Sequence, residues 1–156
     1  MKAFAVAAAV VVVIFVAAFV VMQFVGNTDT ALDLNVSGSA CVIVTNISDK
    51  NVTVKKNKKI TWAVKNACPA AQTVQLGNFR TGQTSTNGTC ADPTEGGATW
   101  PFKAGDENNR SVTVPAGQSG EIILREAKNA GSSELTYYFD ICLGGVKGDP
   151  RLVIEP

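Results

Sequence analysis

The sequence predicts an all-β domain, an antiparallel sandwich, preceded by one transmembrane α-helix. Three observations carry that expectation. Ala3 to Val25 is a run of 23 residues without a charge. After residue 37 come short β-type runs separated by Gly, Pro and Asn, and four cysteines all lie beyond the apolar run. The 156 residues divide into an anchor helix at 1–26, a polar linker at 27–37 and an extracytoplasmic domain at 38–156. A domain of about 120 residues is near the usual single-domain size and buries a core of its own.

At 1.5 Å per residue the apolar helix is about 34 Å long, enough to cross a hydrocarbon layer of roughly 30 Å. A secretory signal has a shorter apolar region, about 7–15 residues, and a small-residue cleavage site. Here the run ends in Gln23-Phe24-Val25-Gly26, a poor site of that kind, so the helix is expected to stay as a signal-anchor. Lys2 precedes it and Asp29 and Asp33 follow. That asymmetry points the N-terminus to the cytoplasm and the domain to the periplasm or cell exterior, a single-pass protein of the inner (plasma) membrane. Ala5, Ala9 and Ala17 would let a second membrane helix approach closely. Alanine is equally common in membrane spans that pack against nothing in particular.

Cys41, Cys68, Cys90 and Cys142 are widely spaced, with no Cys-x-x-Cys pair, which argues against a zinc ribbon or a redox motif. An even number beyond an export segment reads as two disulfides in an oxidising compartment. Three connectivities are open. The expected one joins Cys68 to Cys90 and Cys41 to Cys142. Five Asn-x-Ser/Thr sequons begin at Asn35, Asn46, Asn51, Asn87 and Asn109, where chance gives about one or two.

The β-type runs are Ala40–Thr45, Val52–Lys55, Lys59–Lys65, Thr73–Leu76, Arg110–Val114, Glu121–Arg125, Leu135–Leu143 and Leu152–Ile154. Short strands at this spacing indicate a sandwich or barrel. The clearest is Leu135–Leu143, which puts Leu135, Tyr137, Phe139, Ile141 and Leu143 on one face and Thr136, Tyr138, Asp140 and Cys142 on the other. Gly77–Ala98 is polar, holds Cys90 and reads as one long loop; such loops are often functional or pinned. Glu126–Ala130 is a helical turn at most.

Composition excludes several function classes. Fourteen basic against 13 acidic side chains leave a net charge of +1, too weak a field to draw nucleic acid. There is no histidine, which removes the commonest general base and metal ligand together. Ser111, Ser119, Ser132 and Ser133 therefore have no imidazole to activate them, and no enzyme activity is expected. Gly144, Gly145 and Gly148 read as a turn, since no helix follows to make a phosphate site.

The order of the pieces resembles a cupredoxin-like domain over roughly residues 36–156. Ile60-Thr-Trp-Ala-Val-Lys-Asn66 looks like that family's strand ending in Asn or Asp, and Val112-Thr-Val-Pro-Ala-Gly-Gln118 like its Val-Pro-Ala-Gly lead into a later strand. Tyr137 to Glu155 is similar to its closing hairpin. The resemblance implies a cupredoxin-like or Ig-like sandwich. It also implies a place for copper, but Gln72 stands where the first histidine would be, and no histidine or methionine follows Cys142. The fold is expected without the metal, and without any other cofactor.

Other groups have a bland and a sharp reading each. Asp92, Glu95 and Asp106 are either solvated loop carboxylates or ligands for a hard cation such as calcium, though their spacing fits no EF-hand. Asp140, inside an apolar strand, must face water or find a partner, for which Arg151 and Arg125 are the candidates. Lys55, Lys56, Lys58 and Lys59 form a basic hairpin tip that either protects an edge strand or touches an anionic surface. Trp62 and Trp100 are expected in the core. Trp100 and Phe102 have a second reading as exposed aromatic anchors for a partner.

Together these features describe a non-catalytic, single-span accessory subunit of a larger membrane complex, respiratory or photosynthetic. Its partners would be the membrane and other membrane-protein subunits, with no small-molecule substrate evident. Two other readings stand beside it: a pilin-like filament or surface-layer subunit, and a ligand- or metal-binding periplasmic module built on the 77–106 loop.

Overall fold

The computed structural model describes residues 28–37, 40–44, 51–82, 84–85, 89–128, 132–144, 146–148 and 150–156. The expected anchor, with Ala5, Ala9 and Ala17, lies outside the described residues. Within them no helix is long and apolar enough to cross a membrane. The strands are β1 (Thr28–Ser37), β2 (Ala40–Ile43), β3 (Asn51–Lys55), β4 (Ile60–Asn66) and β5 (Gln72–Arg80). They continue with β6 (Ser111–Val114), β7 (Ser119–Leu124), β8 (Leu135–Leu143), β9 (Val146–Gly148) and β10 (Arg151–Glu155). A short 3-10 helix, Asp106–Asn109, precedes β6.

The fold is an all-β sandwich. One sheet has the order β2-β1-β4-β7; the other runs β3-β10-β8-β5-β6, with β9 added to β8. Most neighbours are antiparallel, but β1 runs parallel to β4 and β10 parallel to β3. Thr28–Ser37 was expected within the linker and is instead β1, set between β2 and β4. Its second half alternates Leu32, Leu34 and Val36 with Asp33, Asn35 and Ser37, the period-two pattern of a strand with one apolar face.

The two sheets meet over an aromatic centre. Phe79 of β5 stacks on Phe139 of β8 with ring centres 4.9 Å apart, and Trp62 of β4 meets Phe139 edge-on at 5.8 Å. Trp100 and Phe102 complete the group against Phe79, at 5.1 and 5.9 Å. Each such pair contributes about 0.5–1.5 kcal/mol beyond its buried area. The alternation in β8 is as the sequence indicates: Tyr137, Phe139, Ile141 and Leu143 are buried in the core.

At one end of the sandwich the fully buried Asn66 ties β4 to its neighbours. Its Nδ2 donates to the carbonyl oxygens of Ala70 and Val114, both at 2.9 Å, and its Oδ1 accepts from the Cys68 amide at 2.9 Å. An asparagine at a strand end thus satisfies backbone groups that the sheet leaves open.

Candidate functional site

The polar chemistry of the domain gathers on the outer face of the larger sheet, under the long loop. β5 pairs with β8 in antiparallel register, Gln75 opposite Cys142 and Gly77 opposite Asp140, and then a bulge intervenes before Arg80 meets Tyr138. The bulge falls at Asn78, whose φ of 53° is the left-handed conformation that asparagine tolerates. It turns Asn78 and Arg80 towards Asp140.

Asp140 is fully buried and Arg80 is 4% exposed. Arg80 Nη1 donates to Asp140 Oδ1 at 3.0 Å, and Asn78 Nδ2 donates to Asp140 Oδ2 at 2.7 Å. Ser85 Oγ lies 3.2 Å from the same Oδ2 and 2.8 Å from Glu95 Oε2, so its one proton serves either carboxylate. The partner expected for Asp140 was Arg151 or Arg125; it is Arg80, which the β5–β8 pairing and the register shift at the bulge bring beside it. Arg125 is engaged elsewhere, its Nη2 2.6 Å from Asp106 Oδ1.

The loop is laid directly on β5. The amides of Asn78 and Phe79 donate to the carbonyls of Asp92 and Pro93 at 2.8 and 3.0 Å, and the Glu95 amide returns to Phe79 O at 3.0 Å. Arg110 clamps it from the side, donating to Leu76 O, Cys90 O and Ala91 O at 2.9, 2.6 and 2.6 Å. Burial lowers the Arg110 pKa from its usual value, with the charge of Asp92 acting in the opposite sense. Gly77 leaves the room this needs: a Cβ there would stand 2.9 Å from both Asp92 O and Cys90 O.

The disulfides correct the expected connectivity. They are Cys41–Cys68 and Cys90–Cys142, with Cα separations of 6.0 and 5.9 Å. Cys41 pairs with Val36 in the β1–β2 ladder, and Leu34 of β1 lies opposite Asn66, which brings Cys41 beside Cys68 just past the end of β4. Cys90 rides on the loop that covers β5 and β8, and so meets Cys142 on their outer face. In the loop-entropy picture the sequence separations of 27 and 52 correspond to about 3.6 and 4.1 kcal/mol. Beside Cys90–Cys142 is an open depression of about 360 Å³, lined by Thr73, Gln75, Thr89, Ala91 and Gly144.

The remaining candidate residues fall apart from one another. Trp100 and Phe102 are buried in the core, 7% and 0% exposed, so their reading as exposed partner anchors is withdrawn. Asp106 sits at the start of the 3-10 helix, where its carboxylate accepts from the backbone amide and guanidinium of Arg125 and from Asn109 Nδ2. Burial pushes the Asp106 carboxyl up, but the hydrogen bonds and charge of Arg125, with the bond from Asn109, outweigh it and hold the carboxyl below its usual value. Among the described residues no three His, Cys, Asp or Glu side chains come together to hold a metal ion. Gln72 lies at the start of β5, opposite Val114, and Cys142, the other position implied by the resemblance, is closed in its disulfide.

Lys55, Lys56 and Lys58 are exposed and Lys59 half-buried at the turn from β3 to β4. The turn itself is held firmly. The Lys56 amide donates to Glu155 O at 2.8 Å, Asn57 N to Ala127 O at 2.8 Å, and Ala127 N to Lys58 O at 2.9 Å.

The geometry defines a class, a β-sandwich stapled by two disulfides, with a long loop sealed over buried charges. No known protein family and no curated protein matches the chain. Similar solved structures include the CupB2 chaperone of Pseudomonas aeruginosa, at 14% identity and a TM-score of 0.49, matching 70% of this chain and 54% of that one. A McoA multicopper oxidase variant from Aquifex aeolicus matches 84% of this chain and 30% of its own, at 8% identity and a TM-score of 0.42. The multicopper oxidase mgLAC matches 83% and 39%, at 11% identity and 0.41. The chain thus spans little more than half, or less, of the structures it resembles, and likeness at this level assigns no chemistry to it.

Proposed function

We propose that this chain is a non-catalytic accessory subunit, held on the outer face of a membrane by its apolar N-terminal segment, whose β-sandwich makes protein contacts within a larger assembly. A respiratory or photosynthetic complex is the host we favour. The observation that supports this reading is the use to which the domain puts its buried ionisable groups. Asp140, Arg80 and Asp106 are each engaged by neighbouring side chains or backbone, and Arg110 clamps loop carbonyls; together they fasten loops and strand ends to the sandwich. Such groups supply rigidity rather than a reacting centre, and a rigid, oxidised head suits a contact surface outside the cytoplasm.

The depression beside Cys90–Cys142 supports a second reading, a small-ligand module. Its lining is mostly apolar, and among the described residues Thr73, Gln75 and Thr89 are the polar side chains at its wall.

The test is extraction of native membranes in mild detergent, native separation and mass spectrometry of the bands. Co-migration with one defined complex at fixed stoichiometry is expected. Migration of the chain by itself would overturn the accessory reading and favour the ligand module, and a homopolymeric ladder would favour a filament subunit.

A further inference from the structure

The parallel register of β1 and β4 fixes which end of the sandwich the apolar segment approaches. Thr28 lies opposite Ile60, and the pairing continues to Leu34 opposite Asn66. Ile60 directly follows the turn that carries Lys55, Lys56, Lys58 and Lys59. Only Gly26 and Asn27 separate Val25, the end of the apolar run, from Thr28, a distance of three residue steps. Three extended residues span at most about 11 Å, and paired strands lie about 4.8 Å apart. If residues 3–25 cross the bilayer, the start of β4 stands within about 16 Å of the end of that span, so the lysine side chains of the turn reach headgroup level.

We propose that this end of the sandwich faces the membrane and docks on anionic phospholipid headgroups; the inference rests on the anchored reading above. Other cations belong to the same end. β7 ends opposite Ile60, so Arg125 and Lys128 follow there, and the Lys103 amide donates to Arg125 O at 2.9 Å. Two of these cations are neutralised locally, Arg125 by Asp106 and Lys103 by Glu126. Among the described residues no ion pair takes up Lys55, Lys56, Lys58, Lys59 or Lys128. Among the described residues the acidic groups left nearby are Glu155, level with Lys55 in the β10–β3 pairing, Glu134 just before β8, Asp29 near the start of β1, and Glu107 beside Asp106. Five lysines outside any ion pair among the described residues therefore face fewer carboxylates, on a turn whose backbone is pinned by three hydrogen bonds, one to Glu155 and two to Ala127. A pre-ordered cationic tip loses little entropy when it meets a charged surface.

The occupant is a lipid surface rather than an acidic protein because the anchor already holds the tip there. The effective concentration of headgroups exceeds that of any partner that must first diffuse in. A lysine near an anionic leaflet gains a factor of about five in local binding, screened by salt.

The full-length chain, oxidised and reconstituted in vesicles, provides the test by amine-reactive labelling and peptide mass spectrometry. Lys65, exposed near the far end of β4 and about 17 Å away along the strand, is the internal control. Labelling of Lys56 and Lys58 relative to Lys65 is expected to slow at least fivefold in vesicles containing phosphatidylglycerol. In pure phosphatidylcholine no slowing is expected, and high salt should abolish the effect. Equal relative labelling in both vesicle types, with the chain resistant to carbonate extraction, would overturn the docking and leave the anchor standing. Release of the chain by carbonate would overturn the anchor and the docking together. Protection seen in native membranes but absent from protein-free anionic vesicles would replace the lipid with an acidic protein partner.

Discussion

Replacing Asp140 with asparagine removes one charge from a site that water does not reach. The carboxylate is fully buried and holds Arg80 at 3.0 Å and Asn78 at 2.7 Å. Asp140→Asn keeps the shape, leaves the buried guanidinium without its counterion, and sets an amide against the Asn78 donor or breaks one of the two bonds. Loss of one partner of a buried pair costs about 3–5 kcal/mol, a large share of the 5–15 kcal/mol that holds a domain together. For a domain of this size that lowers the melting temperature by roughly 10–25 °C. The assay is thermal and denaturant unfolding of the full chain in detergent, followed by near-ultraviolet circular dichroism with the disulfides intact. The double change Arg80→Met with Asp140→Leu removes both charges and is expected to recover all but about 1–2 kcal/mol, since apolar replacements of buried pairs are often neutral. A loss below about 1 kcal/mol in Asp140→Asn, or a double variant as unstable as the sum of the two single changes, would refute the assignment.

Further changes probe the loop, the disulfides and the titrating groups of the sandwich. Gly77→Ala drives a methyl group against Asp92 O and Cys90 O and is expected to cost about 1–3 kcal/mol. It should speed hydrogen exchange at the Asn78 and Phe79 amides, while Gly82→Ala, with nothing within 4 Å, stays neutral. Serine at both Cys90 and Cys142 is expected to remove about 4 kcal/mol, and at both Cys41 and Cys68 slightly less, as measured by the midpoint of denaturant unfolding. Acidification weakens the fold through Asp106: its carboxyl titrates lower in the folded state than in the unfolded chain, so its contribution is complete above about pH 4 and is lost as pH falls through the folded value. Asp106→Asn should flatten that acid limb. Tyr137 acts at the other extreme. Burial raises its pKa, so stability holds below about pH 10 and declines as pH rises towards the folded value.

The strands that alternate strongly were legible in the sequence. Leu135–Leu143 shows every second residue apolar, and the structure buries that face. β1 carried the same signal in Leu32, Leu34 and Val36, hidden by Asp33 and Asn35 and by its closeness to the apolar run. Disulfide pairing was not legible, because spacing along the chain does not reveal that the loop after β5 doubles back over the outer face of its own sheet. The Asp140 partner was missed for the same reason: Arg80 reaches it only through the bulge at Asn78, and a bulge has no fixed sequence mark. Trp62 and Trp100 were legible as core residues and lie there, whereas the second reading of Trp100 and Phe102 as exposed anchors came from their Gly- and Pro-flanked stretch. Their burial follows from the contact with Phe79, which no local pattern announces.

Peptide mass mapping of carbonate-washed native membranes, without reduction, reads the anchor and both disulfides in one measurement. The chain is expected to stay in the membrane pellet with residues 3–25 still attached, and Cys41–Cys68 and Cys90–Cys142 to appear as linked peptides. A chain that washes off, lacks the apolar segment or carries free thiols at these positions would contradict that expectation.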